Sequence, residues 1–477
     1  MTPESRVPSP ESRGQMEHLS AMAQRIGGRL LGEDAGFARV VTDTRQLQRG
    51  DLFVALKGER FDGHDYVLRA AGLGAAGSLV SRAVDGAPAQ VATVDTLEGL
   101  QAYAASWRKD FGLPVIGVTG SSGKTTTKQM LAAVCAARGP VLATEGNLNN
   151  HIGVPLTLLK LRQEHRTAVI EMGANHSGEI ALLAKLARPD IAIVTQAGDA
   201  HLEGFGSREG VARAKGELFS ALQGRGVAVI NRDDTYFDLW RGLAGTATVL
   251  GFGLSPQADV RAESVSAEPV QAPVCSVFTL ATPQGRIRVE LPLPGRHNVV
   301  NALSVAAAAL ALGMDLDGIA EGLAAVRPVA GRLSWMDTQQ GARLLDDSYN
   351  ANPTSLRAAL DLLAGLPGQR WLVLGDMKEL GGDAAALHEE AGRTARTLGI
   401  DRLYTVGPLA QQAAAGFGAQ GRHFPSAEAL IEALREHLAD TDAATVALLV
   451  KGSRSSRMER VVAALTIGGS GHTAEVH

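Results

Sequence analysis

Short apolar runs alternate with longer segments rich in alanine and leucine along most of this chain. The runs have the length of buried strands and the longer segments that of helices, which is typical of parallel sheets covered by helices. An alternating stretch at 246–291 predicts further strands, and 298–312 predicts a helix. The other strand candidates are 115–118, 168–171, 191–195, 227–230, 343–347, 371–374, 403–406 and 446–450. The fold class that follows is α/β.

The same pattern divides the chain into domains. Its 477 residues are enough for about three domains. We expect an N-terminal domain at 16–110, a central domain at 111–328 and a C-terminal domain at 329–467. Polar composition predicts a disordered tail at 1–15, and a Gly-rich end predicts a frayed tail at 468–477.

Composition argues against several classes of function. The formal net charge is −4 and there is no basic stripe, so nucleic acid is not an expected partner. No apolar run reaches the roughly 18–20 residues that span a bilayer, and the polar first residues do not resemble a signal peptide. Cys135 and Cys275 make no disulfide framework and, among apolar neighbours, are expected to be buried. We therefore expect a cytoplasmic protein without membrane insertion. We also expect a monomer, although neither composition nor fold fixes the oligomeric state.

A glycine loop between a strand and a helix is the most informative local pattern. The sequence Thr-Gly-Ser-Ser-Gly-Lys-Thr occupies 119–125, directly after the strand candidate 115–118. Glycines let the backbone approach a phosphate, N–H groups at a helix start attract anions, Lys124 can reach terminal phosphates and Thr125 can ligate Mg²⁺. The strict P-loop pattern needs glycine at Val118, so the match is to a tighter variant. The residues expected to bind ATP here are Thr119, Gly120, Ser121, Ser122, Gly123, Lys124, Thr125 and Thr126.

Polar side chains follow two other strand candidates. Glu171 ends the strand at 168–171, and His201 lies beyond the strand at 191–195. Ligands of open α/β sheets bind beyond the carboxyl ends of the strands, so either side chain can face a metal ion. A helix cap or a solvated loop explains Glu171 equally well, and a lone loop histidine is more often structural.

Lys215 lies on a predicted helix that starts at the N-cap Ser207. Apolar residues at 211, 218, 219 and 222 lie near it on that helix. From this segment alone, a lysine that extends from the surface into water is the favoured interpretation.

Two more polar groups have open interpretations. Asn298 and Asn301 share one helix face near its start, where their amides can cap the helix or contact an adenine edge. Asp347 follows a strand and precedes a Pro-stopped turn, so its carboxylate can hold a ribose hydroxyl or form an Asx turn.

Together these motifs resemble the Mur ligase family, the ATP-dependent amide-forming enzymes of peptidoglycan assembly. They occur in order between about residues 38 and 463. The segments that carry the resemblance are 119–125, 146–155, 171–175, 201–206, 214–217, 295–302, 331–332, 346–353, 374–381 and 451–454. The resemblance implies three α/β domains, with a P-loop-type ATPase sheet in the centre and a Rossmann-like unit at the C-terminus.

The resemblance also implies a reaction. It points to the family member that uses ATP and Mg²⁺ to join D-Ala-D-Ala to the terminal carboxylate of UDP-N-acetylmuramoyl-tripeptide through an acyl phosphate. Another step of the same family, or a ligase like folylpolyglutamate synthetase, is the alternative. A nucleotide-binding protein without turnover is a third interpretation, which the presence of Glu171, His201 and Lys215 disfavours.

Residue roles follow from the resemblance position by position. Lys124 would hold the β- and γ-phosphates and Arg332 the γ-phosphate, Asn298 or Asn301 would contact adenine, and Asp347 would bind ribose. Thr125 and Glu171 would share one Mg²⁺. His201 and Lys215, the latter carbamylated by CO₂, would serve a second. The implied catalytic set is therefore Lys124, Glu171, His201, Lys215 and Arg332.

Substrate contacts are implied in three segments. The UDP-sugar segment comprises Thr42, Asp43, Thr44, Arg45, Asp62 and His64. The residues near the reacting carboxylate are Asn147, Asn149 and Asn150, with no choice among them. The residues on the side of the amine are Tyr349, Asn350, Asn352, Lys451 and Ser453.

Overall fold

The computed structural model describes residues 15–268 and 275–467. All but Gln15 of the predicted first tail, and the whole predicted tail at 468–477, lie outside these ranges. The described chain packs into two compact units. The first contains residues up to 117 together with 140–172 and 181–189, and the second contains 118–139, 173–180 and the chain from 190 onward.

The leading segment of the first unit is built on a five-stranded sheet. Its elements are β1 (Glu17–His18), α1 (Leu19–Ile26), β2 (Arg29–Gly32), β3 (Gly36–Phe37), β4 (Val40–Val41), β5 (Leu52–Val54), α2 (Val67–Gly72), β6 (Gly77–Val80), β7 (Ala89–Ala92) and α3 (Thr96–Arg108). The sheet order is β2-β7-β6-β5-β4, parallel except for β2, while β1 and β3 form a separate antiparallel pair. The Asp95 carboxylate accepts the Glu98 N–H and so caps α3.

The middle of the chain supplies the strands around the glycine loop. Its elements are β8 (Val115–Thr119), α4 (Lys124–Cys135), β9 (Val141–Ala143), α5 (Gly153–Leu158), β10 (Thr167–Glu171), α6 (Glu179–Ala187), β11 (Ile191–Val194), α7 (Leu202–Phe205), α8 (Arg208–Ser220), β12 (Val227–Asn231), α9 (Phe237–Ala244), β13 (Thr248–Gly253), β14 (Val260–Glu268), β15 (Cys275–Thr282), β16 (Gly285–Leu291), α10 (Arg296–Ala311) and α11 (Leu316–Ala324). In the second unit the strand order runs β16-β15-β14-β13-β12-β11 and ends at the last residues of β8. In the first unit β10 lies between β9 and the first residues of β8. The strands β8, β10 and β11 are buried along their whole length, as predicted for a sheet covered on both faces.

The last third of the chain, within the second unit, forms a six-stranded sheet. Its elements are β17 (Ser334–Asp337), β18 (Arg343–Asp347), α12 (Pro353–Ala364), β19 (Gln369–Gly375), α13 (Ala384–Thr397), β20 (Arg402–Val406), α14 (Ala410–Phe417), β21 (Gly421–Phe424), α15 (Ala427–Ala439), β22 (Val446–Lys451) and α16 (Glu459–Leu465). The order is β17-β18-β22-β19-β20-β21, with only the β17–β18 pair antiparallel. Successive residues of β19 serve opposite faces: Leu372 and Leu374 join one hydrophobic cluster, and Trp371 and Val373 join the other.

The predicted α/β class is confirmed, and every strand candidate corresponds to an observed strand. The predicted helix at 298–312 is α10, and the alternating stretch contains β13 to β16, apart from residues 269–274, which lie outside the described residues. Cys135 is buried, but Cys275 is partly exposed, so the prediction of burial was wrong for that residue at the start of β15. Within the described chain, no helix is both long and apolar enough to cross a membrane.

Candidate active site

The glycine loop is held rigidly at the end of β8. A Cβ atom on Gly120 would lie 1.9 Å from Thr195 Oγ1, and one on Gly123 would lie 2.6 Å from Asn301 Oδ1. Both glycines have positive φ angles, 145° and 83°, so the turn requires glycine for its backbone as well as for space. Thr195 Oγ1 donates to Ser122 O at 2.6 Å and so holds the loop in place at Ser122.

Lys124 begins α4, and its side chain turns back over the loop. Its Nζ donates to Gly120 O at 2.7 Å. The Lys124 ammonium therefore lies beside the glycine loop at the start of α4, and a helix start and an ammonium both favour a bound anion.

Glu171 ends β10 in the first unit, and its side chain is 2% exposed. Its Oε1 accepts a hydrogen bond from Asn149 Nδ2 at 2.9 Å, and its backbone N–H donates to Thr144 Oγ1 at 2.9 Å. Asn150 Oδ1 instead accepts the N–H of Gly153, the first residue of α5, at 2.9 Å. Of the three asparagines left open by the sequence, Asn149 is thus the one that orients this buried carboxylate, while Asn147 accepts the Asn149 N–H through its backbone oxygen.

Lys215 lies in the middle of α8, where Ser207 caps the helix as predicted. The surface interpretation of this lysine was wrong, because the residue is 1% exposed. Its Nζ donates to Ala174 O at 3.0 Å and lies 5.1 Å from the centre of the Phe205 ring. Burial, with a further contribution from the Lys124 charge, lowers the pKa of Lys215 to about 7, so a large share of this amine is neutral near neutral pH.

His201 immediately precedes α7 and has a left-handed backbone, with φ of 55°. Its Nδ1 lies 2.5 Å from Oε2 of Glu379, which follows β19 and also has a positive φ, 64°. The His201 ring beside it lowers the pKa of the Glu379 carboxyl, and the Lys124 charge acts in the same direction. The sequence placed Glu379 in a motif but gave it no role, since nothing local marks a partner so distant in the chain.

The predicted metal ligands fit Mg²⁺ by their chemistry. Glu171 offers a buried carboxylate, and His201 has a carboxylate on Nδ1, the arrangement that leaves Nε2 as a ligand. Across the described residues, no three His, Cys, Asp or Glu side chains gather into a metal cluster, and the predicted sets do not require one. Thr125 and Glu171 belong to different units, so their shared ion stays a prediction.

The two asparagines of α10 have different surroundings. Asn298 Nδ2 donates to Pro294 O at 2.8 Å, which ties down the start of the helix. Asn301 Nδ2 donates to Asn298 Oδ1 at 3.4 Å, and its own Oδ1 faces Gly123 of the loop. Only Asn301 is therefore placed against the glycine loop, and an adenine contact by either residue stays a prediction.

Asp347 and Lys451 form a buried ion pair at the ends of β18 and β22. Lys451 Nζ contacts Asp347 Oδ2 and also donates to Asn350 O at 2.9 Å. Burial raises the pKa of the Asp347 carboxyl and lowers that of the Lys451 ammonium, while their direct contact opposes both shifts. A ribose hydroxyl at Asp347, the predicted role, would share this carboxylate with Lys451.

Two arginines lie over one aromatic ring beside that pair. The guanidinium carbon of Arg332 is 4.1 Å from the Tyr349 ring centre, and that of Arg454 is 5.5 Å away. Tyr349 N donates to Gly331 O at 3.2 Å, so the segment that carries Arg332 is tied to the turn after β18.

Asn352 caps α12 through Ser355, and Ser453 N donates to Asp376 O at 2.8 Å. These contacts give Asn352 and Ser453 structural roles beside their predicted substrate roles.

The predicted UDP-sugar segment lies in the first unit. Asp43 and Arg45 form an ion pair of 2.6 Å, and Thr44 between them is buried. Asp62 Oδ1 accepts the His64 N–H at 2.9 Å and lies 2.6 Å from its Nδ1. Both segments are ordered turns with charged groups, and the adjacent Thr42 is half-buried.

Residues on both sides of His201 in the sequence line a cavity of about 760 Å³ within the second unit. Its walls come from the segments at 199–208 and 377–384, and its charged side chains are of both signs. The charged residues that line it are Asp199, Glu203, Arg208, Lys378, Glu379 and Asp383.

Comparison with known proteins places this geometry in a family. Three Mur ligase patterns match successive parts of the chain: the catalytic domain at 37–107, the middle domain at 118–309 and the glutamate ligase domain at 331–454. The chain is 46% identical to the UDP-N-acetylmuramoyl-tripeptide–D-alanyl-D-alanine ligase of Escherichia coli K12, over 95% of this chain and 99% of that protein. A crystal structure of MurF from Acinetobacter baumannii superposes with a TM-score of 0.89 at 37% identity, covering 94% of this chain and 98% of that one. The MurF ligase of Thermotoga maritima in complex with ADP superposes with a TM-score of 0.79 at 29% identity, covering 89% and 96%. The chain therefore belongs to the Mur ligase family.

Proposed function

We propose that this protein is the ATP-dependent ligase that joins D-Ala-D-Ala to the terminal carboxylate of UDP-N-acetylmuramoyl-tripeptide. The observation that carries the proposal is identity of 46% along nearly the full length of both chains with a relative of that name. The glycine loop and the buried amine of Lys215 supply the chemistry that such a reaction needs. ATP and a UDP-linked peptide are cytoplasmic metabolites, so the proposal places the enzyme in the cytoplasm.

The reaction must convert a carboxylate into an electrophile. A carboxylate oxygen of the peptide attacks the γ-phosphorus of ATP, the bond to the bridging oxygen breaks, and ADP leaves. The dipeptide amine, after loss of a proton, attacks the carbonyl carbon of the acyl phosphate. The tetrahedral intermediate expels inorganic phosphate and leaves an amide. Since the acyl phosphate hydrolyses readily, the site must exclude water.

The chain supplies charge and orientation for these steps. The loop N–H groups and Lys124 hold the phosphates, and Arg332, oriented on Tyr349, neutralises charge on the transferred group. Thr125 and Glu171 would hold one Mg²⁺ ion. His201 and Lys215 would hold a second. When bound, Mg²⁺ withdraws charge from the phosphate oxygens. Asn149 keeps the Glu171 carboxylate in place.

Carbamylation of Lys215 is part of the proposal. An ammonium would repel a divalent cation, whereas the neutral amine favoured by this burial can attack CO₂. A nitrogen–carbon bond forms, one proton is lost, and the product carries two oxygens. Oxygen is the ligand that Mg²⁺ prefers.

Phosphate release tests the function. Purified protein receives ATP, Mg²⁺ and UDP-N-acetylmuramoyl-tripeptide, with lysine or diaminopimelate at the third position, with and without D-Ala-D-Ala. Release that needs both substrates, with a product heavier by the dipeptide residue, is the expected result. Activity with a folate and glutamate instead would show that the proposed substrates are wrong, while the assignment of the nucleotide site would stand. Absence of release in either assay contradicts the proposed turnover.

A further inference from the structure

We propose that Glu379 is a positioning residue that sets the proton and the orientation of the His201 ring. The inference rests on the proposed function, in which His201 serves a cation beside the phosphates. Oε2 of Glu379 lies 2.5 Å from His201 Nδ1. A carboxylate this close to Nδ1 favours the tautomer that carries its proton on that nitrogen, and this tautomer leaves Nε2 with its lone pair.

The backbone around this contact shows that the arrangement is built into both segments. His201 and Glu379 both have positive φ, a region that side chains other than glycine occupy only at a cost of about 1–3 kcal/mol. A second contact supports the first, because the Glu203 N–H is directed at Glu379 O at 3.5 Å. Strain in two residues that meet through their side chains is expected where a functional contact dictates the backbone.

The segment that carries Glu379 is anchored independently of His201. His388, which is 0% exposed, accepts the Met377 N–H on Nε2 at 2.9 Å, and its Nδ1 lies 2.6 Å from Ala384 O. Asp376 Oδ1 accepts the N–H groups of Leu409 and Ala410 at 3.0 and 2.8 Å. Glu379 therefore approaches His201 from a fixed support, as a residue that orients another must.

The contact also joins two parts of the family architecture. His201 lies in the stretch that matches the middle domain, and Glu379 in the stretch that matches the glutamate ligase domain. Asp199 N donates to Thr354 Oγ1 at 3.0 Å and links the same two stretches. The contact of His201 with Glu379 thus exists only while these stretches are packed together, which couples the cation site to the part of the chain expected to bring the amine.

Ring nitrogen NMR of the full chain tests the inference without metal or nucleotide. Protein labelled with ¹⁵N in its histidine rings is measured near pH 8, and His201 is assigned with His201→Gln. We expect the proton of His201 on Nδ1 in the wild type, and a shift of the proton towards Nε2 in Glu379→Ala and Glu379→Gly. The glycine variant fits the left-handed backbone and guards against misfolding. Asp383→Asn, which removes another carboxylate of the same segment, is the matched control and should keep the wild-type signals.

Binding of Mn²⁺ to the complex with ADP, measured by electron paramagnetic resonance, is the second readout. Loss of a group that orients a metal-bound histidine weakens the metal about 10- to 100-fold, and we expect that loss in Glu379→Ala and Glu379→Gly but not in Asp383→Asn. Unchanged His201 ring signals in both Glu379 variants would overturn the inference. Wild-type protein that releases no phosphate would instead overturn the proposed function, and the ring signals of the unliganded protein would still decide the role of Glu379.

Discussion

The buried amine of Lys215 is the residue on which the proposed chemistry depends most directly. We expect Lys215→Ala to lower phosphate release about a thousandfold or more, because the loss of a metal ligand removes several kcal/mol of transition-state stabilisation. A short carboxylic acid added to the assay should restore part of the rate, since it can occupy the space of the carbamate. Lys185→Ala, which replaces an exposed lysine of α6, is the control. Full activity of Lys215→Ala would show that no carbamate is needed.

The backbone strain at Glu379 can be tested with substitutions of this single residue. Its φ of 64° suits glycine, so we expect Glu379→Gly to have a free energy of unfolding about 1 kcal/mol higher than that of Glu379→Ala. Urea denaturation of the two variants measures this difference. At Glu203, inside α7, the order should reverse, because glycine destabilises a helix by about 0.5–1 kcal/mol relative to alanine. The same order at both positions would contradict the assignment of strain to Glu379.

At the scale of elements, the connection between β19 and α13 depends on a neutral histidine. Burial lowers the pKa of His388, whose Nε2 must stay unprotonated to accept the Met377 N–H. In the unfolded chain a histidine takes up its proton near pH 6.5, so below that pH the unfolded state binds more protons than the native state. The stability that His388 contributes is therefore present above about pH 6.5 and is lost as the pH falls towards its native pKa.

Urea unfolding at several pH values between about 5 and 7.5 measures this effect. We expect His388→Gln to show a weaker decrease in unfolding free energy with falling pH than the wild type does. His176→Gln, which replaces an exposed histidine, controls for the loss of a histidine as such. Equal pH dependence in wild type and His388→Gln would show that His388 does not carry the effect.

The elements themselves could be predicted because their signals are local. Buried parallel strands are continuous apolar runs, and the N-cap Ser207 marks the start of α8 in the sequence. The glycine loop was recognisable for the same reason, since strand, loop and helix follow one another along the chain. Contacts between distant segments have no such signal. The helix pattern could not show what covers Lys215, nor could the sequence pair Glu379 with His201 or select Asn149 for Glu171.

At the scale of the whole molecule, the last third of the chain has a core of its own. Both hydrophobic clusters on its six-stranded sheet consist of residues between 333 and 465. Antiparallel β17 covers the edge of β18, and Arg332 stacks on Tyr349 within the same segment. A segment with a hydrophobic core of its own has what a domain needs to fold without the remainder of its chain.

We therefore expect a fragment of residues 329–467 to fold alone and to unfold cooperatively in urea, as followed by circular dichroism and by the fluorescence of the buried Trp371. A shorter fragment, 343–467, lacks β17 and exposes the edge of β18, so its midpoint should be lower. A fragment 329–467 without a cooperative transition would place the domain boundary elsewhere. It would also mean that contacts such as Asp199 with Thr354 and His201 with Glu379 hold the segment folded, rather than joining two parts that are stable before they meet.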